Sequence, residues 1–136
     1  MRSSLAPAWG TFVCCVLACA PARADAIAPC APPPGVTAVA IPDGVPDAIM
    51  AQLGQIALPG QRFDASDVVM TGVNRRYIFV WHRGDHWIVA TERGGRGYND
   101  PVMEYALSPG GTATLVTRTL SAPSTVCRDA TAMAKE

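Results

Sequence analysis

RRYIFVWHRGDHWIVATERGGRGYNDPVMEYAL, residues 75–107, holds two of the three Trp, all three Tyr and both His of the 136-residue chain. Its aromatic and β-branched residues read as strands, 76–83, 86–93 and 102–107. Gly84-Asp85 is a two-residue hairpin turn between the first two. The longer Gly94-Gly95-Arg96-Gly97-Tyr98-Asn99-Asp100-Pro101 separates the second from the third. If Gly84-Asp85 is the turn, Arg83 faces His86, His82 faces Trp87 and Trp81 faces Ile88. Side chains alternate along a strand. One face then carries Tyr77, Phe79, Trp81, Ile88, Ala90 and Glu92, and the other carries Ile78, Val80, His82, Trp87, Val89 and Thr91. Both faces are largely apolar, so both need cover.

Outward from this hairpin, Val45, Ile49, Leu53 and Ile56 recur at helical spacing over residues 45–56. Pro46 sits near the first turn, where its missing N–H is not needed. Asp43 and Asp47 suit the positive end of the helix dipole. DVVMT (67–71) reads as a short strand, and TATLVTRTL (112–120) as the last one, after Pro109-Gly110-Gly111. The predicted fold is α+β: one short helix packed on a five-strand antiparallel meander, in a domain spanning 45–122. That architecture resembles cystatin-like and other small inhibitor folds, without an inhibitor motif. One short helix covers one face; the other is expected to lie under the Pro-rich arm, with a homodimer as the alternative.

Residues 1–24 run from a basic start through an apolar stretch to Ala22-Arg23-Ala24, the order of a cleaved signal peptide. The expected location is periplasmic or extracellular, with a lipoprotein anchored at Cys19 as the minor alternative. The mature chain should carry no stable membrane span. Residues 25–44 contain Pro29, Pro32, Pro33, Pro34 and Pro42 and read as an extended arm. Residues 123–136 read as a polar tail, tied by Cys127 and frayed beyond it. Cys30 and Cys127 are the two cysteines left after cleavage, and in an oxidising compartment they are expected to pair. Without Arg2 and Arg23, the formal charge is 9 − 11 = −2, which argues against nucleic acid as a partner. Ten of the eleven basic residues are Arg, as in GC-rich bacterial coding.

The 94–101 loop is longer than most hairpin connections. Its glycines could aim successive N–H groups at an anion. Glu92, Arg93, Gly95, Arg96, Tyr98, Asn99 and Asp100 are the candidate binding residues. The loop lacks the strand-to-helix setting and Lys-Ser/Thr of a phosphate loop. His82 and His86 point to opposite faces, so they do not chelate one ion, and neither a metal nor a cofactor is expected. Arg83-Gly84-Asp85 spells an integrin-binding tripeptide but is also ordinary turn chemistry. No serine stands in a G-x-S-x-G elbow. The favoured reading is an exported binding or inhibitor-like module for a protein or small anion, with no catalytic residues. The alternatives are a small periplasmic hydrolase using Glu92 with Arg93 or Arg96, and a dimeric structural envelope protein. Glu92 lies on a mostly apolar face, where Arg76 or Arg118 could pair with it.

Overall fold

The computed structural model describes residues 29–68 and 72–135. The expected signal segment lies outside them. The fold is α+β, a five-strand antiparallel sheet in the order β1-β2-β3-β4-β5 with two helices. The strands are β1 (Thr37–Ala38), β2 (Arg75–Arg83), β3 (His86–Arg93), β4 (Asp100–Leu107) and β5 (Ala113–Ser121). The helices are α1 (Asp47–Leu53), between β1 and β2, and α2 (Val126–Met133), after β5.

The central hairpin pairs Arg83 with His86, His82 with Trp87 and Trp81 with Ile88, the register set by the Gly84-Asp85 turn. Gly84 has φ +60° and Asp85 stays on the negative side. That is the glycine-first turn whose twist matches a right-handed hairpin. Further along, the register shifts between Tyr77 and Phe79, leaving Ile78 as an extra residue. This bulge reverses the facing of everything before it. Tyr77 pairs with Thr91 and Arg76 with Glu92. Tyr77 therefore joins Val80 and Val89, not Phe79 and Trp81, which corrects the unbulged alternation.

Each face of the sheet has its own core and its own helix. On one face Tyr77, Val80, Val89, Met103 and Tyr105 pack with Val45, Ile49 and Leu53. Ile49 and Leu53 are buried, as the helical spacing predicts, and each contributes about 2 kcal/mol of apolar burial. Ile56, Val39 and Ile41 pack at the margin of this core. On the other face Phe79, Trp81, Ile88, Ala90 and Val102 pack with Val126, Ala130 and Met133 of α2. The Phe79 and Trp81 rings stack with centroids 4.3 Å apart.

Two sequence expectations are therefore corrected. Residues 126–133 are helical, not a frayed polar tail, because Val126, Ala130 and Met133 form a stripe that the sheet buries. The fifth strand is β1, contributed by residues 37–38, rather than the segment 67–71. Asp67 and Val68 form a bend with Val68 exposed, and 69–71 lie outside the described residues. The second helix, on the opposite face, also departs from a one-helix arrangement.

Cys30 and Cys127 are joined as a disulfide across 97 residues of chain, with their Cα atoms 5.5 Å apart. Cys127 is on α2, and Cys30 and Val36 pack against the core that α2 covers. The bridge thus ties the helix to the segment on its far flank. A loop of this length corresponds to about 4–5 kcal/mol of chain entropy, less any native-state strain.

Candidate functional site

The polar chemistry gathers at the end of the sheet closed by residues 94–99. Here the bulge matters most, because it sets which arginine lies on which face. On the α2 face four strands contribute one cross-sheet row. Arg76 pairs with Glu92 and Asp100 with Ser121, and continuing the β3–β4 register sets Glu92 beside Asp100. Arg76 grips Glu92 Oε2 through Nε at 2.7 Å and Nη2 at 2.6 Å. It also donates through Nη1 to the Gln61 carbonyl at 3.0 Å, and its guanidinium lies 4.6 Å from the centre of the Phe63 ring. Arg76 and Glu92 are both buried.

Asp100 is fully buried, and neither carboxyl oxygen has a hydrogen-bond partner among the described residues. Burial, and then the negative charge of Glu92, push its carboxyl up to about 6. The Tyr98 phenol is pushed up to about 12 by burial, by Glu92 and Asp100, and by a hydrogen bond to Glu92. A buried anion disfavours a second one nearby, so the Asp100 carboxyl ionises less readily beside Glu92.

The α1 face of the same end is cationic. Arg75 and Arg93 stand directly opposite each other on β2 and β3. Arg118 reaches the same space from β5, where it pairs with Met103. With Asn74, Thr91, Pro101 and Met103 they line a cleft of about 380 Å³ that holds no carboxylate. Arg75 donates through Nη2 to the Leu53 carbonyl at 2.6 Å, at the negative end of α1. Arg93 and Arg118 make no side-chain hydrogen bond or ion pair among the described residues. Thr91 is fully buried beneath them, and its hydroxyl has no partner there either.

The predicted binding residues are thus divided by the sheet. Glu92, Tyr98 and Asp100 meet on the α2 face, while Arg93 lies on the α1 face. Asn99 turns back on its own loop, where its amide donates to the Gly97 carbonyl at 2.6 Å. Gly95 and Arg96 join neither cluster, and Arg96 is exposed. The loop is short because β4 already begins at Asp100, and Arg93 and Asn99 exchange backbone hydrogen bonds across its mouth. Gly94 spends its N–H on the Asn74 carbonyl. A Cβ on Gly94 would come within 2.1 Å of the Asp64 carbonyl oxygen, so this glycine answers a close backbone approach.

Arg75, Arg76, Thr91 and Arg118 belong to these clusters and were not among the predicted binding residues. The signal for Thr91 and Arg118 was strand alternation around Arg93. For Arg75 and Arg76 that signal was hidden by the bulge. Elsewhere, His82 stacks on Trp87 on the α1 face, with centroids 5.0 Å apart. His86 Nδ1 lies 2.6 Å from Glu104 Oε1 on the α2 face. Arg83-Gly84-Asp85 stands at the hairpin tip, with Gly84 and Asp85 exposed. A second cleft, about 350 Å³ and mainly apolar, opens on the β2 edge at the bulge, between Val39 and Pro59, with Arg76 and Glu92 at its end. Among the described residues, no three His, Cys, Asp or Glu side chains converge on one point, and no helix is long and apolar enough to cross a membrane.

Comparison with known proteins finds no matching family model, curated protein or solved structure.

Proposed function

We propose that the chain is an exported binding module that takes a small anionic ligand at the loop end of its sheet. The observation that carries this reading is the convergence of Arg75, Arg93 and Arg118, from three strands, on a cleft without a carboxylate. Like charges directly opposite in a sheet destabilise it. Arg75 and Arg93 nevertheless stand so, and an anion between them offsets that repulsion. The other face supports binding over hydrolysis. Glu92, the acid a hydrolase would need, is 2 % exposed and held by Arg76. The α2 helix covers the apolar face that a second subunit would otherwise protect, so the structural-envelope reading has less to rest on.

A ligand that binds only the folded chain stabilises it by RT ln(1 + c/Kd), with c the free ligand concentration, and so raises its melting temperature. Thermal unfolding in phosphate, sulfate, citrate or acetate, against chloride at equal ionic strength, tests the proposal. At least one anion should raise the midpoint of the wild type, by an amount that grows with the logarithm of its concentration once that exceeds Kd, and an Arg93→Ala/Arg118→Ala variant should not respond. Superimposable curves for the two proteins in every anion would refute it.

A further inference from the structure

We propose that the ligand group held in the arginine cleft is a tetrahedral oxyanion, the phosphate or sulfate end of a small molecule, with Thr91 as the donor that selects it from the floor. This rests on the binding-module reading above and names its ligand class.

The geometry of donors decides the class. Arg75, Arg93 and Arg118 come from β2, β3 and β5, so they address the cleft from different sides. A guanidinium offers paired parallel N–H groups to two oxygens of one acceptor. A carboxylate has two oxygens in one plane and is filled by donors arriving in that plane. Three guanidiniums around a fourth donor below suit a group with oxygens in three or four directions. Charge points the same way. A phosphoryl group carries between one and a half and two negative charges near neutrality, closer to the three positive charges here than the single charge of a carboxylate or a sulfate ester, so charge favours phosphate within the tetrahedral class.

Thr91 is the independent observation. It lies on β3 two residues before Arg93, on the α1 face opposite Tyr77, it is fully buried, and its hydroxyl is unanswered among the described residues. Buried hydroxyls are rarely left without a partner. This one lines the cleft that the arginines surround, so an oxyanion oxygen there satisfies it. The remaining walls suit the rest of a ligand. Pro101 and Met103 are apolar and Asn74 is a hydrogen-bonding side chain, in a volume of about 380 Å³ that exceeds a bare oxyanion.

The test follows backbone amide shifts of the full mature chain titrated with inorganic phosphate, sulfate, glycerol 3-phosphate and acetate at constant ionic strength. Phosphate or sulfate should move the Thr91, Arg93 and Arg118 amides saturably, and acetate should leave them in place. Tighter binding of glycerol 3-phosphate supports an ester as the ligand; equal binding of inorganic phosphate supports the free ion in the same oxyanion site. Arg118→Ala, on an exposed edge position, and Thr91→Val, which keeps the volume and removes the hydroxyl, should each weaken phosphate by roughly tenfold or more. The unliganded melting temperature of the Thr91→Val protein should hold or rise, because the hydroxyl makes no bond within the fold and its burial is costly. Acetate binding as tightly as phosphate at the same amides would overturn the oxyanion assignment and leave the anion-binding reading standing. Amides unmoved by every anion would overturn both. Undiminished phosphate binding in Thr91→Val would overturn the selecting role of Thr91.

Discussion

Arg76 and Glu92 sit 2.6 Å apart in a part of the sheet that water barely reaches. Removing one partner leaves a buried charge alone, which costs about 3–5 kcal/mol, whereas replacing both with apolar groups can be close to neutral. Arg76→Met or Glu92→Met alone should therefore lower stability by that amount in chemical denaturation. The double variant should recover most of the loss. Asp100, beside them, has no such partner. Its carboxyl is raised to about 6, so the folded chain holds the proton more tightly than the unfolded chain does. Below about pH 4 both states are protonated and no penalty exists; as pH rises through the interval from about 4 to 6, stability is lost, by on the order of 3 kcal/mol. Melting temperature against pH should show this decline in the wild type and lack it in Asp100→Asn. The sequence offered Glu92 two partners, Arg76 and Arg118, and the bulge at Ile78 decides for Arg76. The Gly84-Asp85 turn correctly placed Trp81 opposite Ile88 and His82 opposite Trp87. No glycine or proline marks the bulge at Ile78, yet that one residue exchanges the faces of Tyr77 and Arg76.

Among the elements, the strongest strands and α1 could be read directly, because apolar spacing and turn residues agreed there. The second helix carried its own signal, Val126, Ala130 and Met133 at intervals of four and three. Polar neighbours Arg128, Asp129 and Thr131 obscured it, and they are the solvent side of the same helix. β1 is two residues long and too short for alternation to register. Of the expected strand 67–71, Asp67 and Val68 form a bend, which composition alone did not reveal. Since α2 is short, its hold on the sheet depends on Val126, Ala130 and Met133 and on the bridge to Cys30. Cys30→Ser/Cys127→Ser should lower stability by about 2–5 kcal/mol. Hydrogen exchange should then show α2 losing protection before the central hairpin does.

For the whole molecule, most of the unanswered buried polar groups among the described residues, those of Tyr77, Thr91, Asn99, Asp100 and Ser121, lie toward one end of the sheet, while His82 and Trp87 lie at the other. The candidate residues of 92–100 were read as one site. The sheet separates them into a carboxylate row under α2 and an arginine cleft beside α1, because neighbours in a strand point to opposite faces. The loop of residues 94–99 joins the two faces at that end. Each face is capped by its own helix, Leu115, Val116 and Leu120 of β5 stay exposed at the sheet edge, and the cleft of Arg75, Arg93 and Arg118 is the feature on which the proposed binding rests. Calorimetric titration of phosphate into the wild type and into Arg93→Ala/Arg118→Ala tests that claim most directly. The wild type should bind one phosphate per chain and the variant should give no saturable heat; no binding by the wild type, or undiminished binding by the variant, would contradict it.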